Sequence, residues 1–276
     1  MQAFAPRSLA EALDVRLEHP EAMPVAGGTD LMVEVNARRI RPDALLDLSR
    51  VDELKTWRRD NGTVLVGAGM TFARIARELT EFPPLVAAAQ SIASRQIRNR
   101  ATIGGNLGTA SPAGDSIPVL AAYEADVVVA SARTGSRRIP LGEFLVGPKR
   151  TVLAPGELIV GVQWQSTAGP GSFAKVGRRS AMVIAVASVC LQVDEKGHGV
   201  RLALGSVGPT VLRATSAEAF ATGRDWSEPA TLAEFGRLAA ADARPIDDLR
   251  GTAAYRRHVV EVLARRALAR AEEERC

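Results

Sequence analysis

Met23–Leu31 reads MPVAGGTDL, and the run continues through MVEVNARR to Arg39. Met23–Ala26 has the look of a short buried strand that stops at Gly27-Gly28. Thr29–Arg38 follows as a helix, with Thr29 or Asp30 near its start, and Ala44–Leu48 is a second strand. Strand, glycine turn, helix and strand in that order predict a small parallel unit. Two glycines after a strand let the backbone turn sharply and approach a ligand with no side chain in the way. The helix start behind them offers free N–H groups to a phosphate. The same residues also suit a plain strand-to-helix turn capped by Thr29 or Asp30. The stretch is not G-x-G-x-x-G and no P-loop lysine follows it, so a Rossmann-type nucleotide site is disfavoured.

On its N-terminal side, Ser8 and Glu11 form the S-x-x-E of a capping box, which predicts a helix running toward His19. On its C-terminal side, LKTWRRD and TVLVGAG flank Asn61-Gly62 and predict a tight hairpin. Helices are expected over 71–79, from Pro84 to about Arg95, and over 116–124. Strands are expected at 126–131 and 158–165, with a turn at 133–136. The small, flexible run STAGPGS at 166–172 marks a domain boundary. Beyond it come three strand runs, Phe173–Arg178, Val183–Val193 and Val200–Val207. The last two pair antiparallel through a turn at 194–199. Helices at 216–221, 229–241 and 252–274 complete an α+β chain. No tandem repeat is present.

The 276 residues suffice for two modest domains. A hydrophobic share of 46% with 24% charged residues fits a folded soluble domain and argues against disorder. The net charge of +4 is spread along the chain, which disfavours a nucleic-acid surface. The basic runs Arg95–Arg100 and Arg133–Arg138 alternate with apolar residues, and the second reads as a solvated hairpin. No apolar run is long enough to span a membrane. The opening residues MQAFAPRSLAEAL lack the pattern of a signal peptide, so the expected location is the cytoplasm. Cys190 and Cys276 are the only cysteines and have no ligand-spaced partner, which predicts neither an iron–sulfur cluster nor a structural zinc in this chain. His19, His198 and His258 are isolated and read as surface residues.

A second glycine-rich segment spans Ala101–Pro118, ATIGGNLGTASPAGDSIP. Four glycines alternate with Thr102, Asn106, Thr109, Ser111 and Ser116, and no helical or strand period is visible. Such a loop lets backbone amides and short hydroxyls converge on a polar ligand. Asp115, its only carboxylate, could accept from ligand hydroxyls or cap the helix that follows.

AGGTDL followed some seventy residues later by TIGGNLGTASPAGD resembles the FAD-binding subunits of the molybdenum hydroxylase family. That family includes xanthine dehydrogenases, aerobic carbon monoxide dehydrogenases, and related aldehyde and heterocycle hydroxylases. IASRQIRNRATIGGN, KRTVLAPGELIVGV, FAKVGRRSAMVIAVASV, LALGSVGPTVLRATSAEAF and AYRRHVVEVLARRAL extend the likeness over nearly the whole chain. It is nearest to medium subunits of bacterial xanthine dehydrogenase type.

The resemblance implies a two-lobed FAD-binding domain over 1–168, with lobes of about 1–55 and 56–168 joining a small parallel unit to a larger mixed or antiparallel sheet. A C-terminal domain over 169–276 would carry a three-stranded antiparallel sheet and a helical bundle. It implies that Ala26, Gly27, Gly28, Thr29, Asp30 and Leu31 wrap the FAD pyrophosphate, mainly through backbone amides. Thr102, Gly104, Gly105 and Asn106 would continue the cradle. Asp115 would hold polar atoms of the ribityl chain, Ile159 would make an apolar contact, and Lys175 would stand near the flavin. Position 92, aromatic in some relatives, is Ile92 here. The cysteine-rich segment of the benzoyl-CoA reductase branch is missing.

The implied role is electron transfer through noncovalent FAD to an acceptor such as NAD, with no catalytic residue or metal ligand in this chain. The [2Fe-2S] clusters would lie on a small partner subunit and the molybdenum–pterin cofactor on a large one, assembled as a dimer of heterotrimers. That complex would oxidise a purine, another heterocycle or an aldehyde. Two other readings compete: a self-contained flavin oxidase, and a non-enzymatic nucleotide-binding or partner-binding module.

Overall fold

A computed structural model describes residues 2–167, 169–194 and 199–275. The expectations for His198, Cys276, the domain boundary at 168/169 and most of the turn at 194–199 fall outside the described residues.

Ser8 caps the helix Leu9–Glu18 by accepting from the Glu11 amide, as the capping pattern requires. The strands Met23–Val25 and Ala44–Asp47 pair in parallel, with the helix Leu31–Asn36 between them. Gln2–Phe4 adds a third parallel strand on the other side of Ala44–Asp47, which three residues of mixed character did not announce. Asn61 and Gly62 both take positive φ, 47° and 79°, and close the hairpin of Trp57–Asp60 with Thr63–Gly67. That hairpin is one edge of a five-stranded antiparallel sheet, continued by Leu158–Gln165, Asp126–Ser131 and Gly135–Pro140. Leu158–Gln165 carries a bulge between Ile159 and Gly161. Leu46, Val51, Leu54 and Leu158 share one buried cluster with Ala12 of the first helix, joining the parallel sheet to the larger one.

The chain divides into two units. The first comprises Met1–Ile75, Ser94–Ala110 and Ala125–Gln165, and holds both of these sheets. The second comprises Ala76–Ala93, Ser111–Glu124 and Ser166–Cys276. Its sheet runs Gly171–Val176, Ala187–Val193, Val200–Gly205, with a short fourth strand at Leu212–Arg213 beyond the three expected.

Val189, Leu191 and Val193 pack with Phe235, Val260, Leu263 and Leu268 of the helices Pro229–Asp242 and Ala253–Arg275. Each such side chain fully buried contributes roughly 1.5–3 kcal/mol. The opposite face meets the helices Pro83–Ser91 and Ser116–Ala122, whose Pro84 and Pro118 lie against Gly171 and Gly205. Ala187–Val193 is therefore buried along its whole length, which explains why it is mostly apolar, and its buried Gln192 donates to the carbonyls of Gly169 and Val193. Among the described residues, no helix is long and apolar enough to cross a membrane.

Candidate functional site

The first glycine turn sits between Val25 and Leu31. Gly27 leaves no room for a side chain, because a Cβ there would collide with the Arg100 carbonyl and stand 3.0 Å from the Ala101 nitrogen. Gly28 adopts φ +72°, a conformation that glycine takes without steric cost. Ala26, Thr29 and Leu31 are half-buried and Asp30 is exposed. Asp30 occupies the cap position of the helix Leu31–Asn36, but its side chain makes no capping bond. Its Oδ2 accepts instead from Thr109 Oγ1 at 3.1 Å. Neither Thr29 nor Asp30 serves as a side-chain cap in the way a plain turn would use it.

The second segment corrects the sequence reading. Ile103–Thr109 is a helix and not an aperiodic loop. Thr102 caps it by accepting from the Gly105 amide at 3.0 Å, and Ala110 ends it in the left-handed conformation. The helix is fixed on the Ala68–Phe72 segment by three backbone bonds: Gly104 N to Ala68 O, Ile103 N to Met70 O, and Phe72 N to Ala101 O. Gly104 faces inward; a Cβ there would stand 2.5 Å from the Ala68 Cβ and 2.7 Å from its carbonyl oxygen. Gly105 and Gly108 face outward and are exposed. Ile159 comes within 3.5 Å of where a Gly108 Cβ would be. Asn106 is half-buried one residue beyond Gly105.

The first unit thus brings together Ala26–Leu31, Thr102–Asn106 and Ile159. Two ties lock the glycine segments side by side, the Gly27–Arg100 contact and the Asp30–Thr109 bond. A third, Lys149 Nζ to Glu34 Oε1 at 3.0 Å, holds the short helix from its far end.

Asp115 and Lys175 come together in the second unit. Lys175 Nζ donates to Asp115 Oδ2 at 2.5 Å, to Ser91 O at 2.8 Å and to Val183 O at 3.2 Å, which uses all three of its protons. Ser91 Oγ lies 3.3 Å from the same Oδ2. Asp115 is 7% exposed, and its Oδ1 is buried without a partner. Burial raises the Asp115 pKa above the ordinary aspartate value, outweighing the opposing pull of Lys175 and the Ser91 bond. Asp115 stands at the cap position of Ser116–Ala122 but makes no capping bond, so the helix-cap alternative fails. Cys190 is buried and burial pushes its thiol up, which leaves it unreactive.

Sequence reasoning missed Ser91, Arg100 and the linking role of Thr109. Arg100 acts through its backbone carbonyl, which leaves no mark in side-chain chemistry, and Ser91 meets Asp115 and Lys175 only through contacts distant in sequence.

The tight double-glycine turn and the bare Gly105 and Gly108 leave backbone open to a cofactor, and among the described residues no group of side chains could hold a metal ion. Residues 1–164 match the model of the FAD binding domain in molybdopterin dehydrogenase, and residues 172–271 match the CO dehydrogenase flavoprotein C-terminal domain. The chain belongs to this family of FAD-binding subunits of molybdopterin-dependent dehydrogenases. It is 31% identical to the carbon monoxide dehydrogenase medium chain of Hydrogenophaga pseudoflava, over 96% of this chain and 94% of that one. It is 29% identical to the putative xanthine dehydrogenase FAD-binding subunit of Escherichia coli K12, over 96% and 93%. In structure it matches carbon monoxide dehydrogenase from Hydrogenophaga pseudoflava, in a form lacking the Mo-pyranopterin moiety, with a TM-score of 0.91 and 29% identity. That match covers 100% of this chain and 98% of the other.

The residues present fit FAD. The first unit offers an open glycine edge beside a tight turn, which suits the cofactor's pyrophosphate.

Proposed function

We propose that this chain relays electrons from the iron–sulfur clusters of a small partner subunit, through FAD, to an external acceptor such as NAD. A large molybdenum–pterin subunit would take a purine, another heterocycle or an aldehyde, and the whole would assemble as a dimer of heterotrimers. The observation that carries this reading is the pair of glycine segments locked together with Gly105 and Gly108 bare on the outer side. Bound flavin supplies the capacity to take electrons singly or in pairs, and the protein binds, orients and tunes it.

Ala26–Leu31 would present backbone amides to the pyrophosphate, with Gly28 turning the chain around it. Thr102 would hold the first turn of its helix so that Gly104, Gly105 and Asn106 continue the cradle. Ile159 would give an apolar contact. Asp115 would accept from ligand hydroxyls through its free Oδ1, and Lys175 would keep that carboxylate fixed near the flavin. The FAD-binding domain would occupy 1–168 and the C-terminal domain 169–276.

Neither glycine segment contains a histidine or cysteine, so the flavin should be noncovalent, and acid precipitation should release all of it. Asp115→Ala should weaken FAD binding by about 1–3 kcal/mol, the cost of a lost charged hydrogen-bond partner. Stopped-flow absorbance at the flavin band tests the relay. Substrate should bleach the band only when the iron–sulfur and molybdenum subunits are present. Bleaching by the lone chain would make it a self-contained oxidase.

A further inference from the structure

The strand Leu158–Gln165 is entered through a fixed corner. In the turn Ala154–Glu157 the Glu157 amide donates to Ala154 O at 3.1 Å, and Pro155 followed by Gly156 at φ +84° fits a type II turn. Glu157 is 7% exposed, and both of its carboxylate oxygens are bonded. Arg137 donates to it twice, Nε to Oε1 at 2.7 Å and Nη2 to Oε2 at 2.9 Å, and the Ala154 amide donates to Oε2 at 2.8 Å. The Arg137 bonds hold the Glu157 carboxyl below the ordinary glutamate range, so it is an anion at neutral pH. Arg137 lies on the outer edge strand, Gly135–Pro140. Asp126–Ser131 runs between that strand and Leu158–Gln165, and its Val129 pairs with Arg137 on one side and Ile159 on the other.

Beyond this corner the strand bulges. Ile159 pairs with Val129 and Gly161 with Val128, which leaves Val160 without a partner on Asp126–Ser131. The Val160 carbonyl accepts instead from Ala68 N at 3.0 Å, and Ala68 O accepts from Gly104 N at 2.9 Å. The Val160 side chain packs on the cluster that holds Leu46 of the parallel sheet. Its neighbour Ile159 reaches to 3.5 Å from where a Gly108 Cβ would be. One extra residue thus supports the helix Ile103–Thr109 through Ala68 and the parallel sheet through its side chain.

A shift of one residue at the entry would move the unpaired carbonyl off Ala68 and turn Ile159 away from Gly108, because successive side chains point to opposite faces. Hydrophobic pattern alone does not forbid that shift, since Leu158, Ile159 and Val160 are all apolar. A polar anchor does. Two parallel bonds between planar groups fix both distance and angle. Such a pair adds little net stability, because the desolvation of its charges offsets their attraction, so its contribution is geometry. We propose that Arg137 and Glu157 are positioning residues for the cofactor site. They set the register at which Leu158–Gln165 enters the sheet, and the bulge carries that register to Ile159 and to the glycine helix. The inference rests on the FAD reading above and adds to it two residues that act through Ile159 and Ala68.

The test uses the native assembly, purified through a tag on this chain, stripped of flavin and titrated with FAD. Glu157→Gln keeps the shape of the side chain and an acceptor for the Ala154 amide, but loses the charge that draws both Arg137 nitrogens. It should raise the Kd for FAD about tenfold, the scale of one lost charged hydrogen bond. The resolved shoulder of the bound flavin band should flatten as Ile159 leaves its contact. Thermal unfolding should change far less than FAD affinity. Arg137→Lys keeps the charge without the fork and should fall between wild type and Glu157→Gln. Glu234→Gln breaks another twofold arginine–carboxylate pair, with Arg237 on the exposed face of a helix in the second unit, and should leave FAD binding unchanged. Variants with wild-type affinity and spectrum would overturn the positioning role and leave the FAD reading standing. So would a loss of flavin that follows thermal unfolding in step, is equally large in Arg137→Lys and leaves the spectrum of the remaining bound flavin unaltered, which would make the pair a brace of the fold alone. Wild type unable to take up FAD would overturn the FAD reading itself.

Discussion

Gly27-Gly28 and Gly104-Gly105 look alike in sequence, yet each pair divides its labour differently. In the first turn, Gly27 is needed because backbone presses on it from Arg100, and Gly28 because its φ is +72°. In the second, Gly104 is needed because Ala68 fills the space behind it, while Gly105 has only the Thr102 hydroxyl within 4 Å, at 3.1 Å. The helix after the first turn buries none of its residues, whereas the helix holding the second pair buries Ile103, Gly104 and Leu107. A glycine doublet is thus two separate constraints, one serving the fold and one serving conformation or access.

The strongest way to break this comparison is Gly104→Val. The added methyls would meet the Cβ and carbonyl of Ala68, neither of which is a flexible side-chain end. Overpacking of this kind costs about 3 kcal/mol or more where nothing can yield. Urea unfolding should show that loss, together with loss of FAD. A variant of wild-type stability would mean that the helix can lift off Ala68 freely.

Gly105→Val sharpens the contrast one residue away. The side chain would point to the exposed surface, and valine is no worse than glycine within a helix. The unfolding free energy should therefore fall by no more than about 1 kcal/mol, the scale of the Thr102 cap that the new Cβ crowds at 3.1 Å, while FAD binding is lost because the space for the cofactor is filled. Equal damage to fold and binding would erase the distinction between the two glycines.

Gly27→Ala comes next. The turn must retreat from Arg100, but little buried structure follows it. FAD affinity should fall about tenfold, or 1.4 kcal/mol, with a smaller change in unfolding free energy. Fluorescence titration of the apoprotein with FAD gives the first number and urea the second.

How far the sequence revealed this arrangement depends on the range of the forces involved. The Ser8 cap, the Asn61-Gly62 hairpin and the strand Leu158–Gln165 were legible because each is written in adjacent residues. The helix Ile103–Thr109 was not, since two adjacent glycines, a third at 108 and an asparagine all have poor helix propensity. What stabilises it is tertiary: the Thr102 cap and the seat on Ala68. Both glycine segments were recognised as candidates, and the resemblance named Asp115 and Lys175 one by one. That they form an ion pair across sixty residues, with Ser91 as third member, is written in no local pattern. The same holds for 76–93 and 111–124, which join the second unit although they precede its sheet in the chain.

The smallest effect belongs to the Thr109–Asp30 bond, a side-chain tie between the two glycine segments. Thr109→Val keeps the shape of the side chain and its β-branch while removing the donor. Asp30 is exposed, so water replaces the lost partner and no buried charge is stranded. The cost should be about 0.5–1 kcal/mol in unfolding free energy, with FAD affinity lowered only a few-fold. Asp30→Ala should cost a similar amount, and the double variant should cost less than the sum, because either change alone already removes the bond. A coupling energy near zero in that cycle would show that the two segments are held together through the Gly27–Arg100 backbone contact alone. Gly27 would then be the single point on which the register between them depends.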